Sequence, residues 1–140
     1  MIWLLACASS TPTGPLADVV GAAGLGDAGQ ITMSVSIESP DTGCDRYAAW
    51  WEILDPDGGL VYRRVLDHSH PDEQPFTRTG GPVPLLLDTQ VWVRAWMHPT
   101  GYGGQAVFGS VSDGFDAADL QADFAEDLAE VEPLPEGCLF

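Results

Sequence analysis

The stretch Thr89–His98, "TQVWVRAWMH", decides the fold class. From Val91 onward it alternates. Val91, Val93, Ala95 and Met97 fall on one side, and Trp92, Arg94, Trp96 and His98 on the other. Successive side chains of an extended strand point to opposite faces, so a period of two marks a strand and not a helix. The aliphatic side reads as core. The Trp-x-Arg-x-Trp-x-His side has two readings. It is either a second packed surface beneath another element, or an exposed platform where Trp92 and Trp96 stack on sugar rings and Arg94 binds hydroxyls. Trp50 or Trp51 would extend such a platform from a neighbouring strand.

Working outward, the same grammar repeats. "ITMSVSIE" (31–38) alternates Ile31, Met33, Val35 and Ile37 with polar neighbours. "YAAWWEIL" and "LVYRRVL" flank Asp55-Pro56-Asp57-Gly58-Gly59, the residues a hairpin turn requires. "PFTRTGGPVPLLL" carries three prolines and belongs at an edge or in a loop. Gly101–Gly104 turns the chain into "AVFGSVSDGF". Short strands separated by turn signals predict a mainly β protein, an antiparallel β-sandwich similar to immunoglobulin-like domains. The end of the chain changes period. "DAADLQADFAEDLAEVE" (116–132) places Leu120, Phe124, Leu128 and Val131 on one helical face, with Asp116 as N-cap and Pro133 as stop. This predicts one C-terminal α-helix. Its seven acids repel one another, so tertiary packing must hold it. "VVGAAGLGDAGQ" has too many glycines for a stable helix, and residues 8–29 read as a Gly/Ala/Ser-rich tether before a domain at 30–140.

Residues 1–7 carry a separate signal. Leu4-Leu5-Ala6-Cys7 resembles the lipobox of bacterial lipoproteins, in which cleavage precedes a cysteine that is then acylated. Ala8-Ser9-Ser10-Thr11-Pro12 is similar to the flexible tether of such proteins. A secretory leader has a basic n-region and an apolar core, whereas six residues, none basic, precede Cys7, so a full leader requires a start further upstream. The resemblance implies an exported protein held on the membrane by lipid on Cys7 without spanning it. The absence of Asp after the cysteine implies the outer membrane. Export would leave Cys44 and Cys138 as an even pair in an oxidising compartment, where they are expected to form a disulfide.

Chemistry-bearing residues are few. His68 and His70 have the i, i+2 spacing that brings two imidazoles to one side of a strand. With His98 as a third nitrogen, and Glu73 or Asp72 completing or orienting the set, the cluster would suit zinc or copper. Pro71 follows at once and acids flank the pair, so the competing reading is a structural or pH-responsive polar loop. The chain has neither Gly-x-Ser-x-Gly nor a phosphate-cradling glycine loop.

Charge excludes one class. Twenty-one acids against five bases give a net charge of −16, which repels nucleic acid and anionic lipid. The expected function is therefore a binding or accessory module at the cell envelope, with an envelope protein or polysaccharide as partner. A zinc or copper enzyme using the three histidines is the alternative, and a sugar-binding module using the tryptophan face is a third reading.

Overall fold

The structure is a computed structural model and describes residues 14–139. Eight strands follow in order: β1 (Asp18–Asp27), β2 (Gln30–Glu38), β3 (Tyr47–Leu54), β4 (Leu60–Val65), β5 (Phe76–Val83), β6 (Val91–His98), β7 (Ala106–Ser110) and β8 (Gly114–Ala118). They form a three-stranded sheet, β1-β2-β5, and a five-stranded sheet, β4-β3-β6-β7-β8. All neighbouring pairs are antiparallel. The architecture is a two-sheet sandwich.

The core follows the alternation. Ile31, Met33, Val35 and Ile37 of β2 meet Val91, Val93, Ala95 and Met97 of β6 in one cluster, with Trp51, Ile53 and Phe76. Removing such side chains from water supplies roughly 1.5–3 kcal/mol each. The other side of the five-stranded sheet is covered as well. Every residue of β3 is buried, so this strand lies at the centre of two packed layers.

Two expectations need correction. The predicted C-terminal α-helix is absent. Residues 114–118 form strand β8, and the only helical turn among the described residues is a short 3-10 segment, Glu126–Glu130. Ala125, at its start, has φ 47°, a left-handed conformation that costs a non-glycine residue roughly 1–2 kcal/mol and ends any α-helix. Backbone carbonyls that an α-helix would pair internally are taken instead by arginines of the sheet. Arg94 donates to Phe124 and Ala125, and Arg63 donates to Leu128, Val131 and Pro133. Of the apolar face read from the sequence, only Leu128 is buried, while Val131 is 41% exposed.

Nor do residues 18–27 belong to a tether. Residues 18–27 form β1, which pairs with β2 along its whole length. Small residues suit this position because β1 runs close to its neighbours. Added side-chain bulk at Gly24 would meet Val111, Ile31 and Met33 at 3.0 Å or less.

Candidate binding cleft on the five-stranded sheet

A β-bulge shapes the outer face of the five-stranded sheet. In the β3–β6 pair, Ala48 lies opposite Met97 and Trp50 opposite Trp96, so Ala49 is the extra residue. A bulge breaks strict alternation and re-aims the side chains around it. Trp51 therefore enters the core between the sheets, while Ala49 and Trp50 both belong to the outer cluster with Tyr47 and Tyr102. Trp50 stacks on Trp96, with centroids 4.4 Å apart and planes 6° from parallel.

Two residues along, Glu52 lies wholly buried on the same face. A carboxylate in such a place needs partners for both oxygens. Trp50 Nε1 donates to Oε1 at 2.7 Å, and the Tyr102 hydroxyl donates to the same oxygen. Arg63 Nη2 lies 3.3 Å from Oε2, and Arg94 Nε 3.8 Å from Oε1. The guanidiniums also sit over rings, Arg63 at 4.4 Å from the Trp50 centroid and Arg94 at 3.5 Å from that of Tyr102. Burial, and next the Glu52 charge, hold the Tyr102 pKa far above the ordinary phenol value. Its hydroxyl stays a donor. Burial lowers the Arg94 pKa, an effect that Glu52 opposes. This is a structural network: it fastens the C-terminal segment to the sheet and holds Trp50 in one orientation.

Beside it lies an open cleft of ≈370 Å³. Tyr47, Trp50, Trp96 and His98 form its sheet side, and residues 134–137 with the Cys44–Cys138 disulfide form its other side. That disulfide, expected on the condition of export, joins residues 94 apart in sequence with Cα atoms at 5.6 Å. Trp96 is half-buried there, backed on one face by Trp50, and His98 is 5.9 Å from it, centroid to centroid. The cleft thus offers aromatic surface, an imidazole and one acid, Glu136.

The platform read from the sequence is divided. Trp92 packs against Phe108, with centroids 4.7 Å apart. Arg94 is 3% exposed, with donors committed to Phe124 and Ala125. Trp96 alone of the three lines the cleft. The alternating face lies largely beneath another element, which is an irregular segment where the sequence predicted a helix.

The histidines do not converge. His68, His70 and Glu73 line a second shallow pocket of ≈320 Å³, while His98 belongs to the aromatic cleft. His70 stacks on Phe76, with centroids 4.1 Å apart. Glu73 pairs with Arg78 at 3.1 Å, which lowers its pKa. Among the described residues, no group of three or more His, Cys, Asp or Glu is placed to hold a metal ion. The arrangement does not support the zinc or copper reading of His68, His70, His98 and Glu73. The loop is organised by buried Asp41, which accepts hydrogen bonds from Ser39 Oγ, Ala48 N and His70 N at 2.7, 3.1 and 2.9 Å. Burial, and next Arg78, depress the His70 pKa below its ordinary value. Cys7 lies outside the described residues.

Sequence reasoning missed Glu52, Tyr102 and Asp41. For Glu52 a signal existed: an acid inside "YAAWWEIL", on a strand whose neighbours carry arginines, needs a buried partner. For Asp41 and Tyr102 no local pattern points inward.

No family model matches the chain, and no solved structure matches it. It is 38% identical over 77 residues to a protein of Halomicrobium mukohataei named "Putative lipoprotein". The match covers 55% of this chain and 38% of that relative, so the chain matches well under half of the relative's length.

Proposed function

We propose that this chain is the ligand-binding module of a lipid-anchored envelope protein, and that the aromatic cleft takes a ring-bearing ligand that is neutral or cationic. The observation that carries the reading is Trp96, a half-buried indole at the edge of an open cleft, held from behind by Trp50. Indole faces attract the apolar faces of sugar rings, and a backing ring keeps the stacking surface fixed before the ligand arrives. The −16 net charge selects against acidic polymers, which leaves neutral oligosaccharides and amino sugars as the favoured class. Anchorage rests on the resemblance around Cys7 and on the name of the Halomicrobium relative.

Affinity electrophoresis tests the ligand class. Native gels containing a neutral polysaccharide should retard the protein, and Trp96→Ala should migrate as in a plain gel. Equal mobility of wild type in every gel would refute the sugar reading. Anchorage is tested separately: Cys7→Ser should move the protein from the membrane fraction to the soluble one.

A further inference from the structure

The C-terminal segment is held in two different ways, on either side of Pro133. Residues 124–133 are fastened by five backbone carbonyls that accept from Arg63 or Arg94. Beyond Pro133 that hold stops. Among the described residues, the backbone of 134–139 meets the rest of the chain at one place, an isolated parallel bridge between Leu139 and His68 that includes the bond from Leu139 N to Asp67 O at 2.7 Å. The other tie is the disulfide from Cys138 to Cys44. Leu134 and Leu139 are 37% and 63% exposed, so apart from half-buried Pro135 and from Cys138, which packs on the outer cluster, little apolar burial holds this stretch. Yet Leu134, Pro135, Glu136 and Gly137 form one side of the aromatic cleft.

We infer that residues 134–139 are a lid over the Trp50–Trp96 cleft, hinged at Pro133 and latched by the Cys44–Cys138 disulfide. The inference names a regulation of the cleft and rests on the cleft being the binding site. Both cysteines are partly exposed, so a dithiol reductant reaches the latch. A thiolate of the reductant attacks one sulfur and breaks the S–S bond, forming a mixed disulfide. Its second thiol then resolves that intermediate. Two electrons and two protons pass to the protein, leaving Cys44 and Cys138 as thiols and the reductant as a disulfide. The lid is then tied only by the bridge at Leu139, and a segment with so few contacts opens locally without unfolding the domain. The arginine-bound residues 124–133 stay in place and limit the opening to the cleft.

Hydrogen exchange with and without a dithiol reductant tests the lid, beside the double variant Cys44→Ser, Cys138→Ser without reductant. Protection of the Leu139 amide should fall by about tenfold or more in both cases, with β3 and β6 amides still protected. Acrylamide should quench tryptophan emission more strongly in the open form. Unchanged protection at Leu139 would overturn the inference. So would loss of β3 and β6 protection together with it, or a double variant that does not fold, because the disulfide would then hold the whole domain. The assay contains no ligand. A lid that opens in a protein that binds no sugar would leave the lid standing and remove only the ligand class.

Discussion

Trp50 and Trp96 lie face to face across the β3–β6 pair, 4.4 Å between centroids, because the bulge at Ala49 brings them into register. Trp50 is fixed further by its bond to Glu52 and by the Arg63 guanidinium over its ring. The cleft's aromatic surface is therefore built on buried charge. Its rigidity depends on groups that no ligand would touch.

That dependence predicts a large cost for Glu52→Gln. The change leaves two buried guanidiniums without a counter-charge and should cost about 3–5 kcal/mol, the usual penalty for breaking a buried pair. Glu73→Gln, which breaks the exposed Glu73–Arg78 pair, should leave stability unchanged within error. Urea unfolding of the two variants measures the contrast. Equal effects would mean that Glu52 is not the hub of the network.

The pH dependence of stability carries the mark of His70. Its folded pKa is depressed from 6.5 by burial and next by Arg78, with Asp41 and Glu73 opposing and His68 adding to the depression. Below 6.5 the unfolded chain binds the proton more readily than the folded one. The His70 contribution is thus complete above 6.5 and is lost as pH falls from there through the lower folded value. In unfolding experiments across this range, wild type should lose stability relative to His70→Gln as the solution is acidified. A difference that grows in favour of wild type would contradict the assignment.

The N-terminal boundary is testable through glycine. A Cβ at Gly104 would sit 1.9 Å from the carbonyl oxygen of Ala17, beside the bond from Val19 N to Gln105 O. Gly104→Ala should cost about 3 kcal/mol, the upper end of what overpacking does, by pushing β1 away. A chain begun at Gln30 should fare worse, since it loses β1 and the burial of Ala17 and Val19. Thermal denaturation of both reads this out. A stable truncated chain would restore residues 18–29 to the tether.

Much of the sandwich was legible because half-buried strands print their period in the sequence. The inward set of β6, Val91 to Met97, is the set that alternation predicts. Two places misled for physical reasons. Glycine-rich β1 has few of the bulky residues that mark strands, because Gly24 and Gly26 lie close against other backbone and side chains. The segment 116–132 has a helical period, yet long-range arginines claim its carbonyls, and such competition leaves no trace in local sequence. The site was harder still. Histidine spacing drew attention to His68 and His70, whereas the bulge at Ala49, which creates the aromatic cleft, has no signature in "YAAWWEIL".

The most direct test of the cleft is a ¹H–¹⁵N NMR titration with a neutral or amino-sugar oligosaccharide, following the indole N–H signals. Trp96 and Trp50 should shift in step with saturation, together with the backbone amide of His98, while Trp51 in the core between the sheets stays still. Shifts centred on the His68–Glu73 loop, or none at saturating sugar, would contradict that expectation.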